Sequence, residues 1–349
     1  MAVLVPTVDL GPYVDGGGPA RRAATAAALD VACREVGFLQ VVGHGVPAAA
    51  AADLAAAMDA FFALPPAAKL ALRCPPEVNR GYTAPRSEAV SLSLGVADAG
   101  RMNDAFEAFN VGSSRADHPD ADLDEAHHPA NVWPDVPGFA DAVGAWFGEA
   151  ARVARVLTRV FADALGVPTE VFASVTRHPV EVLRMNHYAL PEGTPVDGSR
   201  NGSLNGMGAH TDYGLVTVLW ADPVPGLQLL GPDRAWHDVQ PADGALLVNL
   251  GDLTARLTNE RWLSTLHRVR PPVVDGVVQR RRSAAFFHDG DVDAVIAPLP
   301  SCVPAGERPR YAPITVADHL AAKLAGSRAG RANAGAGREA ARVLAARPG

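Results

Sequence analysis

Three side chains, those of His210, Asp212 and His267, are of the types that share a metal ion. His210 and Asp212 are separated by one residue, so on an extended strand both leave the same face. Gly206, Gly208 and Gly214 flank them and permit a tight turn with close backbone approach. His267 comes much later, in the strand-like piece Thr265-Leu266-His267-Arg268-Val269, and joins them if the two strands are neighbours. Two imidazoles and one carboxylate suit non-haem Fe(II): they occupy one face of the metal and leave the others open for a co-substrate and O₂. Zinc accepts similar donors. The spacing is not the helical His-Glu-x-x-His pattern, however, and no nearby Glu is placed as a general base.

Arg281 and Ser283 are also two apart, and a guanidinium fork beside a hydroxyl makes a receptor for a carboxylate. The run Arg280-Arg281-Arg282 could be a solvated edge, but it passes at once into Ala284-Ala285-Phe286-Phe287, where the strand enters the core. Arg281 then points inward with Ser283, and Arg282 outward.

These groups need strands to hold them. After Pro179 the short candidates are Val180 to Asn186, Leu215 to Trp220, Leu227 to Leu230, Ala245 to Asn249, Ser264 to Val269 and Arg281 to Phe287. Turn formers such as Pro225-Gly226 and Asp275-Gly276 separate them. So many short strands without intervening helices predict a mixed α/β chain with a mainly β core, an antiparallel double-sheet barrel with supporting helices rather than a βαβ fold. Earlier in the chain, Val3 to Leu10 and Phe38 to Val42 read as strands, and Ala20 to Glu35 and the segment after Pro47 as helices. Residues 65–137 read as loop-rich. The amphipathic run from Phe139 to Leu165, stopped by Gly166, suits a helix packed along a sheet. From Leu320 the tail is rich in Ala, Arg and Gly, and Gly326, Gly330, Gly335 and Gly337 predict a frayed end. The chain thus divides into an N-terminal helical and loop region over 1–120, a catalytic core with the long helix over 121–320, and a tail over 321–349.

A formal charge of -7 offers no general attraction for nucleic acid, and no basic block is interleaved with aromatics. Three scattered cysteines make no disulfide framework. The opening MAVLVPTVDL lacks the basic segment of a signal peptide, and no apolar run reaches the ~20 residues that span a bilayer. A cytoplasmic enzyme of small molecules is expected, without nucleic-acid or membrane partners. With no heptad pattern to argue for an assembly, it is expected to be a monomer.

At its chemical motifs the chain resembles the isopenicillin N synthase-like branch of the Fe(II)/2-oxoglutarate-dependent oxygenases, over about residues 4–315. Val5-Pro6-Thr7-Val8-Asp9-Leu10, Cys33-Arg34-Glu35-Val36-Gly37-Phe38 and Gly43-His44-Gly45-Val46-Pro47 resemble that family's N-terminal region, which Gly81-Tyr82 and Glu107-Ala108-Phe109-Asn110 continue. Arg184-Met185-Asn186-His187-Tyr188 looks like its Asn-Tyr-Tyr-Pro segment, from which His187 and Ala189 depart. The resemblance implies a double-stranded β-helix, or jelly roll, with His210, Asp212 and His267 as iron ligands. It implies that Arg281 and Ser283 hold the distal carboxylate of 2-oxoglutarate, with Tyr188 and Asn186 reaching the same co-substrate. Fe(II), 2-oxoglutarate and O₂ would then yield succinate, CO₂ and a hydroxylated, desaturated or cyclised product.

The substrate side would be built by Arg80, Tyr82, Glu107, Phe109, Arg184, Asn186 and Phe287, the region around Glu107 and Phe109 by that resemblance. Glu107 could meet a basic group or pair with Arg80 or Arg184; Arg184 could hold a carboxylate or support the sheet. This polar mix predicts a small metabolite with an ionic group. His187, in place of Tyr, would alter packing beside the iron. His44-Gly45 reads as a structural turn, and His237, His288 and His127-His128 as structural or exposed. Two rival chemistries share the triad: an oxidative cyclase independent of 2-oxoglutarate, and an ethylene-forming enzyme. A cupin-like binding protein is the non-enzymatic rival.

Overall fold

The computed structural model describes residues 5–88, 90–94, 104–188, 206–274 and 277–329, together with 333, 336, 337 and 341. Val3, Ala189, the Asp275-Gly276 turn, Gly330 and Gly335 lie outside the described residues.

The helices are α1 (Gly11–Val14), α2 (Pro19–Glu35), α3 (Ala48–Phe62) and α4 (Pro66–Leu70), then α5 (Phe139–Leu165), α6 (Glu170–Ala173), α7 (Asp252–Leu257) and α8 (Val316–Ala329). α5 is the spine. Its stripe of Val143, Trp146, Ala150, Ala154, Leu157 and Phe161 is buried, and Gly138 and Gly166, both left-handed, bound it.

The strands are β1 (Thr7–Asp9), β2 (Phe38–Val42), β3 (Gly81–Thr83), β4 (Glu107–Gly112), β5 (Val180–His187), β6 (Met207–His210), β7 (Val216–Ala221) and β8 (Leu227–Leu230). β9 (Trp236–Asp238), β10 (Leu246–Leu250), β11 (His267–Val269), β12 (Val273–Val274) and β13 (Val277–Val278) follow. The last are β14 (Arg282–Gly290), β15 (Val295–Ile296) and β16 (Ile314–Thr315). One eight-stranded sheet runs β1-β2-β10-β7-β14-β5-β4-β3 and a four-stranded sheet runs β6-β11-β8-β9.

The barrel, and with it the jelly roll, is not formed: among the described residues no sheet closes on itself. Closure requires hydrogen bonding all round the ring. Here β6 ends at His210 in the small sheet and β7 begins at Val216 in the large one, so the chain crosses between them as a turn and carries no ladder across. The architecture is instead mixed α/β around a large, open, mainly antiparallel sheet.

Alternation sorts the faces of that sheet. Phe109, Leu183, Met185, Ala284, Phe286 and Val218 join the apolar core with α5. Phe286 meets Phe147 of α5 edge-on, with ring centroids 5.0 Å apart, and truncating it to Ala would cost about 3–5 kcal/mol. Asn110, Arg184, Asn186, Ser283, Ala285 and Phe287 turn to the other face and line a cavity of about 560 Å³, whose opposite wall is the small sheet.

The described residues of 65–137 are more ordered than their composition suggests, since they include α4, β3 and β4. Nor does the chain fray at Leu320: α8 is helical to Ala329. Gly326 is there for close approach, because a Cβ would stand 2.7 Å from the Leu92 carbonyl oxygen and the Ser93 backbone. Among the described residues no helix is long and apolar enough to cross a membrane.

Candidate active site

β6 and β11 are paired with His267 opposite His210, which brings the two rings to 4.3 Å between centroids. Asp212 follows β6 in the crossing turn. Its Oδ1 lies 3.8 Å from His210 Nε2 and 3.6 Å from His267 Nε2. One ligand atom from each residue falls within 4.8 Å of the others, and all three are buried.

Each ligand's remaining polar atom is already engaged. His210 Nδ1 is 2.8 Å from the Gly208 carbonyl and His267 Nδ1 is 3.0 Å from the Thr265 carbonyl. A carbonyl only accepts, so both Nδ1 atoms carry the proton and both Nε2 lone pairs face the centre. Thr217 Oγ1 and Asn249 Nδ2 donate to Asp212 Oδ2 at 2.5 and 2.6 Å, leaving Oδ1 to face the two imidazoles. Burial, followed by the neighbouring His267, lowers His210 to a pKa of about 3. The His210 ring therefore stays neutral at ordinary pH, the form that ligates. The donor set fits a divalent ion with open positions.

Arg281 precedes β14 and is 2% exposed, with Ser283 at 3% on the same face. Arg281 Nε donates to the Val224 carbonyl at 3.2 Å, and its guanidinium lies 4.9 Å from the centroid of the Tyr188 ring. Its Nη1 is buried with no hydrogen-bond partner. A buried guanidinium aimed into a cavity with a free donor fits an acidic ligand. Asn186 Nδ2 reaches Ser283 Oγ at 3.5 Å. Arg282 turns the other way, though not into solvent: it binds Asp59 of α3 at 2.8 Å and Asp222 at 3.3 Å.

Arg80, Arg184, Asn186 and Phe287 line the cavity; Tyr82, Glu107 and Phe109 do not. Phe109 is packed among Phe61 and Phe139. Glu107 accepts from Lys69 at 2.7 Å and Tyr82 Oη at 2.6 Å, and meets His187 Nδ1 at 3.0 Å. Burial would raise the Glu107 carboxyl, but these partners hold it below its ordinary value. His187 stacks on Phe62 on this same helix side, away from the metal. Of the remaining histidines, His44 Nε2 meets the Gly244 carbonyl at 2.9 Å in a turn, and His288 meets Glu181 at 2.8 Å. His237 pairs with Asp233 and His127 with Asp124, while buried His128 lies against His118.

Several contributors were not anticipated. Glu88 joins Arg184 at 2.7 Å and Arg328 of α8 at 3.1 Å. Asp104 accepts from the Gly208 and Val90 amides at 2.9 and 3.0 Å, which fixes the approach to β6. α8 adds Leu320 and Leu324 to the cavity wall, and β14 adds Asp289. For Asp289 the alternation through Ser283, Ala285 and Phe287 was a sufficient signal; Glu88, Asp104 and α8 had none of that kind.

Fold and site together define a non-haem iron enzyme with an acidic co-substrate. The family described as the 2OG-Fe(II) oxygenase superfamily matches residues 179–290, and the N-terminal family described as non-haem dioxygenase in morphine synthesis matches 5–136. Over 321 residues the chain is 35% identical to the 2-oxoglutarate-Fe(II) type oxidoreductase hxnY of Emericella nidulans, covering 90% of this chain and 87% of that one. It is 32% identical over 307 residues to the validamycin A dioxygenase of Streptomyces hygroscopicus subsp. limoneus, covering 86% and 81%. A full-length Neurospora crassa protein crystallised with alpha-KG and thymine superposes with a TM-score of 0.80 at 27% identity, covering 93% of this chain and 97% of that one. The chain belongs to the Fe(II)/2-oxoglutarate-dependent oxygenases. It is an enzyme that binds Fe(II) and 2-oxoglutarate and, with O₂, oxidises a small metabolite, releasing succinate and CO₂.

Proposed function

We propose that His210, Asp212 and His267 hold the iron, and that Arg281 and Ser283 take the distal carboxylate of 2-oxoglutarate with Tyr188 and Asn186 beside them. The observation that carries this reading is Arg281, fully enclosed at the cavity wall with Nη1 unpaired. A buried cationic donor left without a partner is costly, and a carboxylate removes that cost. When bound, iron and 2-oxoglutarate supply the oxidising power for C–H cleavage.

The chain's own part is positional. Gly208 and Thr265 carbonyls fix the imidazole tautomers, and Thr217 with Asn249 fixes the carboxylate. Tyr188 packs over the Arg281 guanidinium and keeps water from it. Substrate would enter the lobe lined by Arg80, Arg184 and Phe287, with Leu320 and Leu324 opposite. Tyr82, Glu107 and Phe109 would act there only from behind the sheet. The three cysteines Cys33, Cys74 and Cys302 are all free, which favours a cytoplasmic setting.

Crystals grown with Mn(II) and 2-oxoglutarate test the assignment. The metal should sit within ~2.0–2.4 Å of one atom from each of the three ligands, with a carboxylate of the co-substrate on Arg281. A metal bound elsewhere, or a carboxylate turned away from Arg281, overturns it.

A further inference from the structure

Asp289 is the last of the alternating residues of β14 that face the cavity. It is 7% exposed. Among the described residues its carboxyl group has no hydrogen-bond or ion-pair partner, whereas the cavity's other buried acids are engaged; Glu77 also lines the cavity but is exposed. Asp212 is held by Thr217 and Asn249, and Glu88 by Arg184 and Arg328. The charges that act on Asp289 are Asp212 and Glu181, both acidic; after burial itself they raise its pKa to about 8. The arrangement is a built one. Gly214 leaves room for the carboxyl, since a Cβ there would overlap Asp289 Oδ1 and crowd its backbone.

Position gives the group a use. In the ladder, Phe287 stands opposite Thr217, which holds Asp212. Asp289 is two residues further along, about 7 Å by strand geometry. It therefore lies beside the metal centre, at the end of β14 away from Arg281. The same lobe carries the apolar Val182, Phe287, Leu320 and Leu324, and its two arginines are engaged by protein groups, Arg184 by Glu88 and Arg80 by the Asn79 and Ser113 carbonyls. A carboxyl group enclosed in such walls is costly alone and is relieved by a cation carrying its own hydrogen-bond donors.

We propose that Asp289 is the specificity-determining residue for a substrate with a protonated nitrogen on a compact apolar body, the carbon to be oxidised lying a few bonds from that nitrogen. This deepens the preceding assignment and rests on it. It also replaces Glu107, engaged on the far face, as the acidic partner of an ionic substrate.

Cyclohexylammonium and cyclohexanol, matched in body and differing in charge, serve as probes. Each is titrated calorimetrically under argon into the protein loaded with Fe(II) and 2-oxoglutarate. The ammonium should bind at least about tenfold more tightly than the alcohol, and Asp289→Asn should erase that difference while its Fe(II) and 2-oxoglutarate affinities stay unchanged. Asp289→Ala, which relieves the contact with Gly214, serves if the amide is not accommodated. The proposal is overturned if wild type binds the ammonium no better than the alcohol, if it binds neither, or if both variants keep the preference. It is also overturned if the variants lose iron instead, for then Asp289 serves the metal. Failure of wild type to bind 2-oxoglutarate would defeat the Arg281 assignment and is read separately in the same samples.

Discussion

At the metal end of the cavity each side chain of the triad is tied down on its outer side. His210 and His267 point Nε2 inward because Nδ1 is held by a backbone carbonyl, and Asp212 offers Oδ1 because Oδ2 is held by Thr217 and Asn249. Under α8 the plan differs: Arg184, Glu88 and Arg328 neutralise one another across β5, the segment after β3, and α8, while Asp289 is left free. The first region has one geometry imposed by local hydrogen bonds. The second is assembled from distant pieces and leaves chemistry for a ligand to complete. A rigid chemical centre with an adaptable reading pocket follows from that contrast.

The largest effect should come from breaking the metal end. His210→Ala removes one ligand from a set of three, so turnover should fall below detection and bound iron should be lost. The large sheet and α5 do not depend on this side chain, so far-ultraviolet circular dichroism should be unchanged. Retained iron with full turnover would show that the triad is not the centre.

Next in size is Arg281→Lys, which keeps the charge but loses the planar fork. Losing charge-assisted hydrogen bonds of about 1.5–3 kcal/mol corresponds to roughly a 10–100-fold weaker 2-oxoglutarate affinity. Arg282→Lys is the comparison, since Arg282 serves Asp59 and Asp222 on the helix side. It should leave that affinity as it is. Equal effects of the two substitutions would mean that the faces of β14 have been confused.

The same contrast governs how much could be read from the sequence. His210 with Asp212 and Arg281 with Ser283 were legible because a spacing of two sets a common face on extended backbone without any tertiary knowledge, although Asp212 and Arg281 each stand just outside a strand. The pairing of His267 with His210 was legible only as a possibility, since nothing local announces which strands are neighbours. Glu107 shows the failure. Its acidity beside the expected pocket suggested a substrate contact, yet the pleat of β4 turns it to Lys69 and exposes Asn110 instead. The barrel was over-read because short alternating strands specify two packed faces but not whether their edges meet. The start of the tail was read as frayed because Gly326 and the glycines after it resemble breakers. Gly326 is in fact required by contact with residues 92–93, which only the fold brings near.

A smaller effect should separate ligands from their supports. Asn249→Ala removes one of two donors to Asp212 Oδ2, and loss of such a support typically weakens metal affinity by about tenfold or more. Titration with Fe(II) under argon measures it. The 2-oxoglutarate requirement at saturating iron should move little. Unchanged iron affinity would mean that Thr217 alone orients the carboxylate.

The smallest effect concerns the cover of the second region. His319 of α8 is 3% exposed and its Nε2 lies 3.1 Å from the Tyr213 carbonyl, to which it donates. Burial lowers its pKa to about 4; Asp252 opposes that shift, and Lys323 and Arg256 add to it. A histidine depressed in the folded state is neutral there while the detached helix takes up a proton. Its contribution is therefore fully present above the unfolded value near 6.5 and is lost as pH falls from there toward 4. Between pH 7 and pH 5.5 the docking of α8 should weaken by about 1 kcal/mol. Hydrogen exchange of α8 amides in the iron-loaded Asp289→Asn protein, where neither His210 nor the raised Asp289 carboxyl takes up protons in competition, should quicken over that interval by roughly fivefold after correction for intrinsic rates. In that background His319→Gln keeps a donor for the Tyr213 carbonyl but does not titrate, so its exchange should be flat across the same range. A pH response that survives in this variant would place the sensing group elsewhere under α8.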